Sequence, residues 1–178
     1  MSDELRSMIA ELTAEIQKRQ VAASEAYWRM ATTGGAEETK AAAAAEKELR
    51  LFLSDRNTFK ALQAAHSLPT GDSLLDRQVD ILYRAYLENQ LPPEAIEKMV
   101  NMSTELEQIF ATFRGEMDGR SVTDGEIREI LTNSRDSEER RKAWQASKQI
   151  GREVAPRLVA LVKVRNEAAQ QLGFSNYY

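Results

Sequence analysis

Apolar residues recur at three- and four-residue spacing along most of the chain, and this pattern predicts helices nearly throughout. The first stripe of aliphatic and small side chains comprises Leu5, Met8, Ile9, Leu12, Ile16, Ala23, Ala26, Tyr27 and Met30. Gly34-Gly35 then interrupts the pattern. Because each helical residue rises by about 1.5 Å, some 30 residues would form a rod about 45 Å long. Such a rod must lie along another element to bury its stripe.

Four more helices are predicted in the middle of the chain. The first begins near Ala36, and a second helical piece includes Leu62. Asp72 or Ser73 is expected to cap the third helix, since either side chain can accept a hydrogen bond from a first-turn amide. Pro92-Pro93 ends that helix, and Pro93 fits the first turn of the fourth, where a missing amide has no cost.

Two further sequence patterns mark the beginnings of helices in the C-terminal third. They fit the capping box, and they are Thr123 with Glu126 and Asp136 with Glu139. The second box predicts a final helix of about 35 residues that ends at Gly173, a natural C-cap. Pro156 is expected to bend this helix, because proline lacks the amide and clashes with the preceding turn.

One stretch, from Phe113 to Val122, is a candidate for β-structure. Asp118-Gly119 is a turn signal for a hairpin between residues 114–117 and 120–122. An ordinary loop is an equal alternative. The predicted fold is therefore all-α, with two long antiparallel N-terminal helices, a helical scaffold and either one short β-hairpin or a loop. Residues 1–178 are expected to form a single helical unit.

Composition narrows the classes of function. The chain is 42% hydrophobic and 29% charged, with a formal net charge of -4 and basic residues interleaved with acidic ones, so we expect neither nucleic-acid nor membrane partners. No apolar run approaches the roughly 18 residues of a membrane span. The absence of cysteine excludes disulfides and thiolate metal sites. Met1 to Glu4 lacks a leader pattern, which favours the cytoplasm. A secreted or periplasmic location is the alternative if a signal peptide has been removed.

Catalytic chemistry is not recognisable in the residues. A His-Glu-x-x-His zinc site requires two histidines one helical turn apart, whereas this chain has one, His66. His66 is interpreted as an ordinary helix-end residue. Residues 114–119 offer two carboxylates but fit a calcium loop poorly, so a tight turn is the preferred interpretation. We accordingly predict no catalytic, no cofactor-binding and no metal-ligating residue.

Several aromatic residues stand at helical spacing: Tyr27, Trp28, Tyr83, Tyr86 and Trp144. They are compatible with the lining of a ligand groove. Aromatic residues at this spacing more often pack between helices, and that is the interpretation preferred here.

Three sequence blocks in a fixed order carry a family resemblance. They are Leu82 to Gln90 (LYRAYLENQ), Phe110 to Gly115 (FATFRG) and Trp144 to Phe174, which contains VRNEAAQQLGF. The chain resembles the N-terminal half of helical zinc peptidases of the groups of angiotensin-converting enzyme and oligopeptidase F. The similarity is dense over Ser73 to Tyr178 and looser in the preceding helices.

The resemblance implies an almost entirely helical protein with two lobes around a deep channel. The first long helices of such enzymes form a lid over the channel, and the zinc site lies further along the chain. By resemblance, Asp3 to Thr33 and Ala36 to Asp55 would be lid helices, and Asp136 to Gly173 would be a lobe scaffold. In the full-length family members a zinc-activated water attacks the peptide bond.

The resemblance assigns no zinc ligand, general base or catalytic tyrosine to any position here, Tyr177 and Tyr178 included. We therefore expect a non-catalytic lid and channel wall of a zinc-dependent metallopeptidase that hydrolyses peptides, inactive by itself. Its expected partners are peptide substrates through the full enzyme, the remaining C-terminal part of the peptidase and a second copy in a homodimer. A stand-alone helical protein-interaction module is the alternative. A downstream His-Glu-x-x-His segment would favour the peptidase.

Overall fold

The computed structural model describes residues 2–177, and Met1 and Tyr178 lie outside the described residues. The fold is all-α, as predicted, with 79% of the residues in helices and one two-stranded antiparallel sheet. In chain order the elements are α1 (Ser2–Thr33), α2 (Ala36–Leu53), α3 (Arg56–His66), α4 (Ser73–Leu87), α5 (Pro93–Thr112), β1 (Gly115–Met117), β2 (Arg120–Val122), α6 (Asp124–Asn133), α7 (Ser137–Lys148) and α8 (Ile150–Gln171).

The two N-terminal helices are antiparallel and meet at Gly34. That glycine has a φ of 67°, which side chains disfavour, and its amide donates to the carbonyl of Met30 at 2.8 Å. Near the other end of the pair, Ile9 of α1 shares a core with Leu49 and Leu53 of α2. The prediction of two long helices joined at the glycine pair is confirmed.

A first hydrophobic core lies where α1 and α2 meet the shorter α3 and α4. Its fully buried members include Leu62 of α3, with Leu75, Val79 and Tyr86 of α4. Both short helices begin at an aspartate whose carboxylate accepts first-turn amides: Asp55 for α3 and Asp72 for α4. Of the two caps allowed by the sequence for α4, the structure uses Asp72.

A second core joins α5 to α8. Ile96 and Val100 of α5 pack in one cluster with Ala168 of α8, and Leu106 packs in an adjoining cluster with Leu161. Pro93 occupies the first turn of α5, as predicted. The α5–α8 pair therefore forms a second layer, and α5 also contacts α1 and α2.

The sequence allowed either a hairpin or an ordinary loop between Phe113 and Val122, and the structure contains a hairpin there. Gly115 pairs with Val122, and Met117 pairs with Arg120. The turn residues Asp118 and Gly119 have φ angles of 52° and 78°, as a type I′ turn requires. The hairpin is anchored by a third core with α6 and α7, whose buried members are Met117, Val122, Ile127, Ala143 and Ala146.

Only one of the two predicted capping boxes forms. Thr123 and Glu126 exchange hydrogen bonds at the start of α6 as expected. At the start of α7 the carboxylate of Asp136 accepts the amide of Glu138 at 2.8 Å, but the box with Glu139 is wrong. The carboxylate of Glu139 instead accepts the hydroxyl of Ser134, which in turn accepts the amide of Asp136. The preceding loop thus competes successfully for the glutamate.

The single C-terminal helix predicted by the sequence is divided at Gln149. The side chain of Gln149 accepts the amide of Glu116 at 2.7 Å and donates to its carbonyl at 2.9 Å, so it extends the hydrogen bonding of β1. Pro156 lies inside α8, beyond this interruption. At the far end, Gly173 has a φ of 88° and the amide of Phe174 donates to the carbonyl of Ala169, which confirms the predicted glycine C-cap.

Candidate functional site

A polar cleft of about 360 Å³ opens between the α1–α2 pair and the α5–α8 pair. The buried Ala23 and Ala42 line its α1 and α2 sides, and Val100 and Thr104 line the α5 side. Small side chains on α1 and α2 allow these helices to pack closely, and polar and charged residues form the rest of the cleft lining. The remaining lining residues are Gln20, Ser24, Tyr27, Glu46, Arg50, Ser103, Glu107 and Arg165.

The charged groups of the cleft differ in how they are paired. Arg50 Nε donates to Glu46 Oε1 at 2.7 Å, one turn apart on α2. Arg165 donates from its terminal guanidinium nitrogen to Ser103 Oγ at 3.1 Å, and its guanidinium carbon lies 5.1 Å from the centre of the Tyr177 ring. The guanidinium of Arg165 is therefore held in place by a hydroxyl and a ring, which neutralise none of its charge.

Glu107 is the electrostatically least favourable group in the cleft. Loss of solvent around its carboxylate raises the pKa, the negative charge of Glu46 raises it further, and Arg165 partly opposes both. The residue as a whole remains open to solvent at the rim, while it also lines the cleft. The ionised form of Glu107 is thus under-stabilised in the folded chain.

Replacing Glu107 with glutamine should raise the free energy of unfolding at neutral pH by less than about 1 kcal/mol, because the group is partly screened by solvent. A pKa raised in the folded state makes folding take up protons, so the stability contributed by Glu107 increases as the pH falls. The advantage of the variant should therefore vanish in acid. Urea unfolding at several pH values measures it. Glu105→Gln is the control, because Glu105 is paired with Arg157 at 2.9 Å and its loss should be slightly destabilising.

His66 lies away from the cleft, as the last residue of α3. Its ring stacks on Tyr83, with ring centres 4.4 Å apart, and Nε2 lies 3.2 Å from Asp80 Oδ1. Asp80 also accepts Arg84 Nε at 2.8 Å, and this arginine, more than His66, lowers the pKa of the Asp80 carboxyl. The interpretation of His66 as a helix-end residue that packs locally agrees with these contacts.

The described residues do not fit a zinc ion. Within residues 2–177 there is no group of three or more histidine, cysteine, aspartate or glutamate side chains that could hold a metal. The carboxylate nearest to His66 is already engaged by arginines. Nor does any helix in the described part of the chain have the length and apolar character to cross a membrane.

The aromatic residues singled out by the sequence separate into three groups. Tyr86 is fully buried and Tyr83 stacks between Phe59 and His66, so packing explains both. Tyr27 lines the cleft. Trp28 and Trp144 are 69% and 54% exposed, so the packing interpretation is wrong for this pair. Of the cleft residues, the aromatic pattern in the sequence identifies only Tyr27. The charged lining residues have no sequence pattern that distinguishes them from surface residues.

Fold and cleft together define an all-α protein with a charged cleft between two helical layers. The family model described as angiotensin-converting enzyme matches residues 1–178. The chain therefore belongs to this family of metallopeptidases, which confirms the resemblance that the three sequence blocks carry. No curated protein matches the chain in a sequence search.

Proposed function

We propose that this chain forms the non-catalytic lid and channel wall of a zinc-dependent metallopeptidase that hydrolyses peptides. The observation that carries the proposal is the polar cleft between α1–α2 and α5–α8 in a chain whose whole length matches the peptidase family. No step of hydrolysis is assigned to a residue of this chain. Its contribution is to bind and orient a peptide and to exclude larger proteins.

The lining of the cleft suits a peptide. Each peptide residue other than proline carries one backbone donor and one acceptor, which need partners when they leave water. Hydroxyls at Ser24 and Ser103 and the amide of Gln20 stand among the charged residues of the wall. Residues 20–27 of α1 and 42–50 of α2 line one side of the cleft, as a lid would.

The test combines this chain with a separately expressed polypeptide that carries the zinc-binding His-Glu-x-x-His part of a family member. The chain alone should cleave no peptide and should bind zinc weakly, without a stoichiometric site of submicromolar affinity. The combination should form a complex and should hydrolyse a fluorogenic peptide in a chelator-sensitive manner. Cleavage by the chain alone would contradict the proposal. Failure to form any complex with the zinc-binding part would favour the alternative of a stand-alone interaction module.

The expected homodimer stays a prediction. Sedimentation of the isolated chain at high concentration checks it, since a clean 20.1 kDa monomer would contradict self-association.

A further inference from the structure

We propose that Glu107, Tyr27 and Phe110 form a binding site for a positively charged group of a peptide ligand. The group is an alkylammonium or guanidinium, supplied by a lysine or arginine side chain or by an amino terminus. The peptide nature of the ligand rests on the proposed function. The cation site itself rests on the geometry around Glu107.

Glu107 stands where three adjoining cavities meet. It lines the polar cleft between the helical layers. It also lines a cavity of about 380 Å³ at the α1–α5 junction, together with Tyr27 and Phe110. A smaller cavity of about 190 Å³ between α5 and α8 includes Glu107, Phe110 and Leu158. The carboxylate-bearing residue Glu107 is therefore part of the wall of all three cavities.

The carboxylate of Glu107 has no hydrogen bond and no ion pair within 4.0 Å in the part of the chain that the structure describes. Glu46, the other carboxylate of the cleft, is paired with Arg50. The charge of Arg165 lowers the pKa of Glu107, but the guanidinium of Arg165 contacts Ser103 and Tyr177 rather than the carboxylate. A ligand cation would supply the charge that Glu107 lacks and would offset the repulsion by Glu46, which together hold its pKa high.

Two exposed aromatic rings line the cavity at the α1–α5 junction together with Glu107. Tyr27 on α1 is 49% exposed and Phe110 on α5 is 59% exposed, although both line cavities with Glu107. Aromatic faces attract ammonium and guanidinium groups by about 0.5–1 kcal/mol at exposed sites. The aliphatic stem of a lysine would lie along the apolar wall of the α5–α8 cavity, where Leu106, Leu158 and Leu161 lie. Carboxylate, rings and apolar wall together match a cation on an aliphatic stem.

The experiment is an NMR titration of the full 178-residue chain with three probes. The first is a tripeptide, acetylated and amidated, with a central lysine, and the second has norleucine in its place, which keeps the stem and removes the charge. The third is n-butylammonium, which carries the charge without a peptide. We expect the lysine peptide to bind about tenfold more tightly than the norleucine peptide. A norleucine peptide with a free amino terminus shows whether a terminal ammonium serves equally.

Variants assign the charge preference to the site. Glu107→Gln should bring the lysine peptide to the affinity of the norleucine peptide, and Phe110→Leu should weaken binding severalfold. Glu105→Gln is the matched control on the same helix, because Glu105 pairs with Arg157 and does not line the cavities described here, so the lysine preference should persist. Amide spectra of each variant verify that the fold is retained.

The outcomes distinguish the cation site from the proposed function. Equal affinities of the lysine and norleucine peptides, or an unchanged preference in Glu107→Gln, would overturn the cation site. A further probe, the same capped tripeptide with a central glutamate, tests the opposite charge. Tighter binding of this glutamate peptide than of the lysine peptide would also overturn the cation site and would indicate an anion site at Arg165. Binding of n-butylammonium that depends on Glu107, with no gain from the peptide, would support the cation site and contradict the channel-wall function.

Discussion

Replacing Leu62 with alanine should lower the free energy of unfolding by roughly 2–5 kcal/mol. Leu62 is 0% exposed in the core that joins α1 and α2 to α3 and α4, where it packs in one cluster with Leu75, Val79 and Tyr86. Truncation removes apolar contacts and leaves a cavity, since neighbouring helices relax only partly. Because whole domains have about 5–15 kcal/mol of stability, this is a large fraction.

Leu68→Ala is the matched control. Leu68 lies just after the same helix but is 74% exposed, so its truncation should change stability by less than about 0.5 kcal/mol. Urea unfolding followed by circular dichroism at 222 nm gives both values. A loss of less than about 1 kcal/mol for Leu62→Ala would show that Leu62 is not packed in this core as described.

Local sequence signals predicted most of the helices because their causes are local. A glycine after an apolar stripe, an aspartate before one and a proline in a first turn each act within a few residues. In the structure Gly34 therefore follows the end of α1, Asp72 caps α4 and Pro93 lies in the first turn of α5, as the sequence predicts. The antiparallel α1–α2 pair follows directly, since two long apolar stripes joined by two glycines bury each other.

Two predictions for the C-terminal third are wrong, the undivided final helix and the capping box at Asp136 and Glu139. In both cases the structure is decided by a distant or a competing hydrogen-bond partner. Gln149 interrupts the final helix while hydrogen bonding to Glu116, 33 positions away. No periodicity within the helix contains that information. Glu139 satisfies the sequence pattern of a capping box, yet Ser134 is an alternative partner that the pattern does not weigh. Pro156 is predicted to bend the helix and lies inside α8, whereas the division at Gln149 comes earlier in the chain.

The candidate site was the part least visible in the sequence. Glu46 and Arg50 stand one helical turn apart, a spacing typical of solvated surface pairs, and nothing in the spacing marks them as a cleft wall. Glu107 and Arg165 are distant in the chain, and they line the same cleft only because α5 packs on α8. The buried Ala42 lines the cleft, although its residue type gives no indication of a cleft. The cleft is a product of tertiary packing.

The close contact between β1 and α7 predicts a second large loss of folding stability on mutation. Replacing Gly115 with alanine should cost about 1–3 kcal/mol of stability, as overpacking does. A Cβ built at Gly115 would lie 2.8 Å from the carbonyl oxygen of Ala146, a backbone atom of α7 that cannot move without displacing the helix. Both residues are buried in the core that holds the hairpin on α6 and α7.

Gly151→Ala should have the opposite sign, which makes the pair a sharp test of this contact. A Cβ at Gly151 meets no atom within 4 Å, and the residue is the second of α8. Alanine there should stabilise the chain by at most about 0.5–1 kcal/mol, the value for a helix interior, because glycine loses more backbone entropy on entering a helix. Denaturant unfolding compares the two variants with the parent chain. If Gly115→Ala is neutral or stabilising like Gly151→Ala, the hairpin does not approach α7 this closely. The bond from Gln149 to Glu116 would then no longer explain where the C-terminal helix divides.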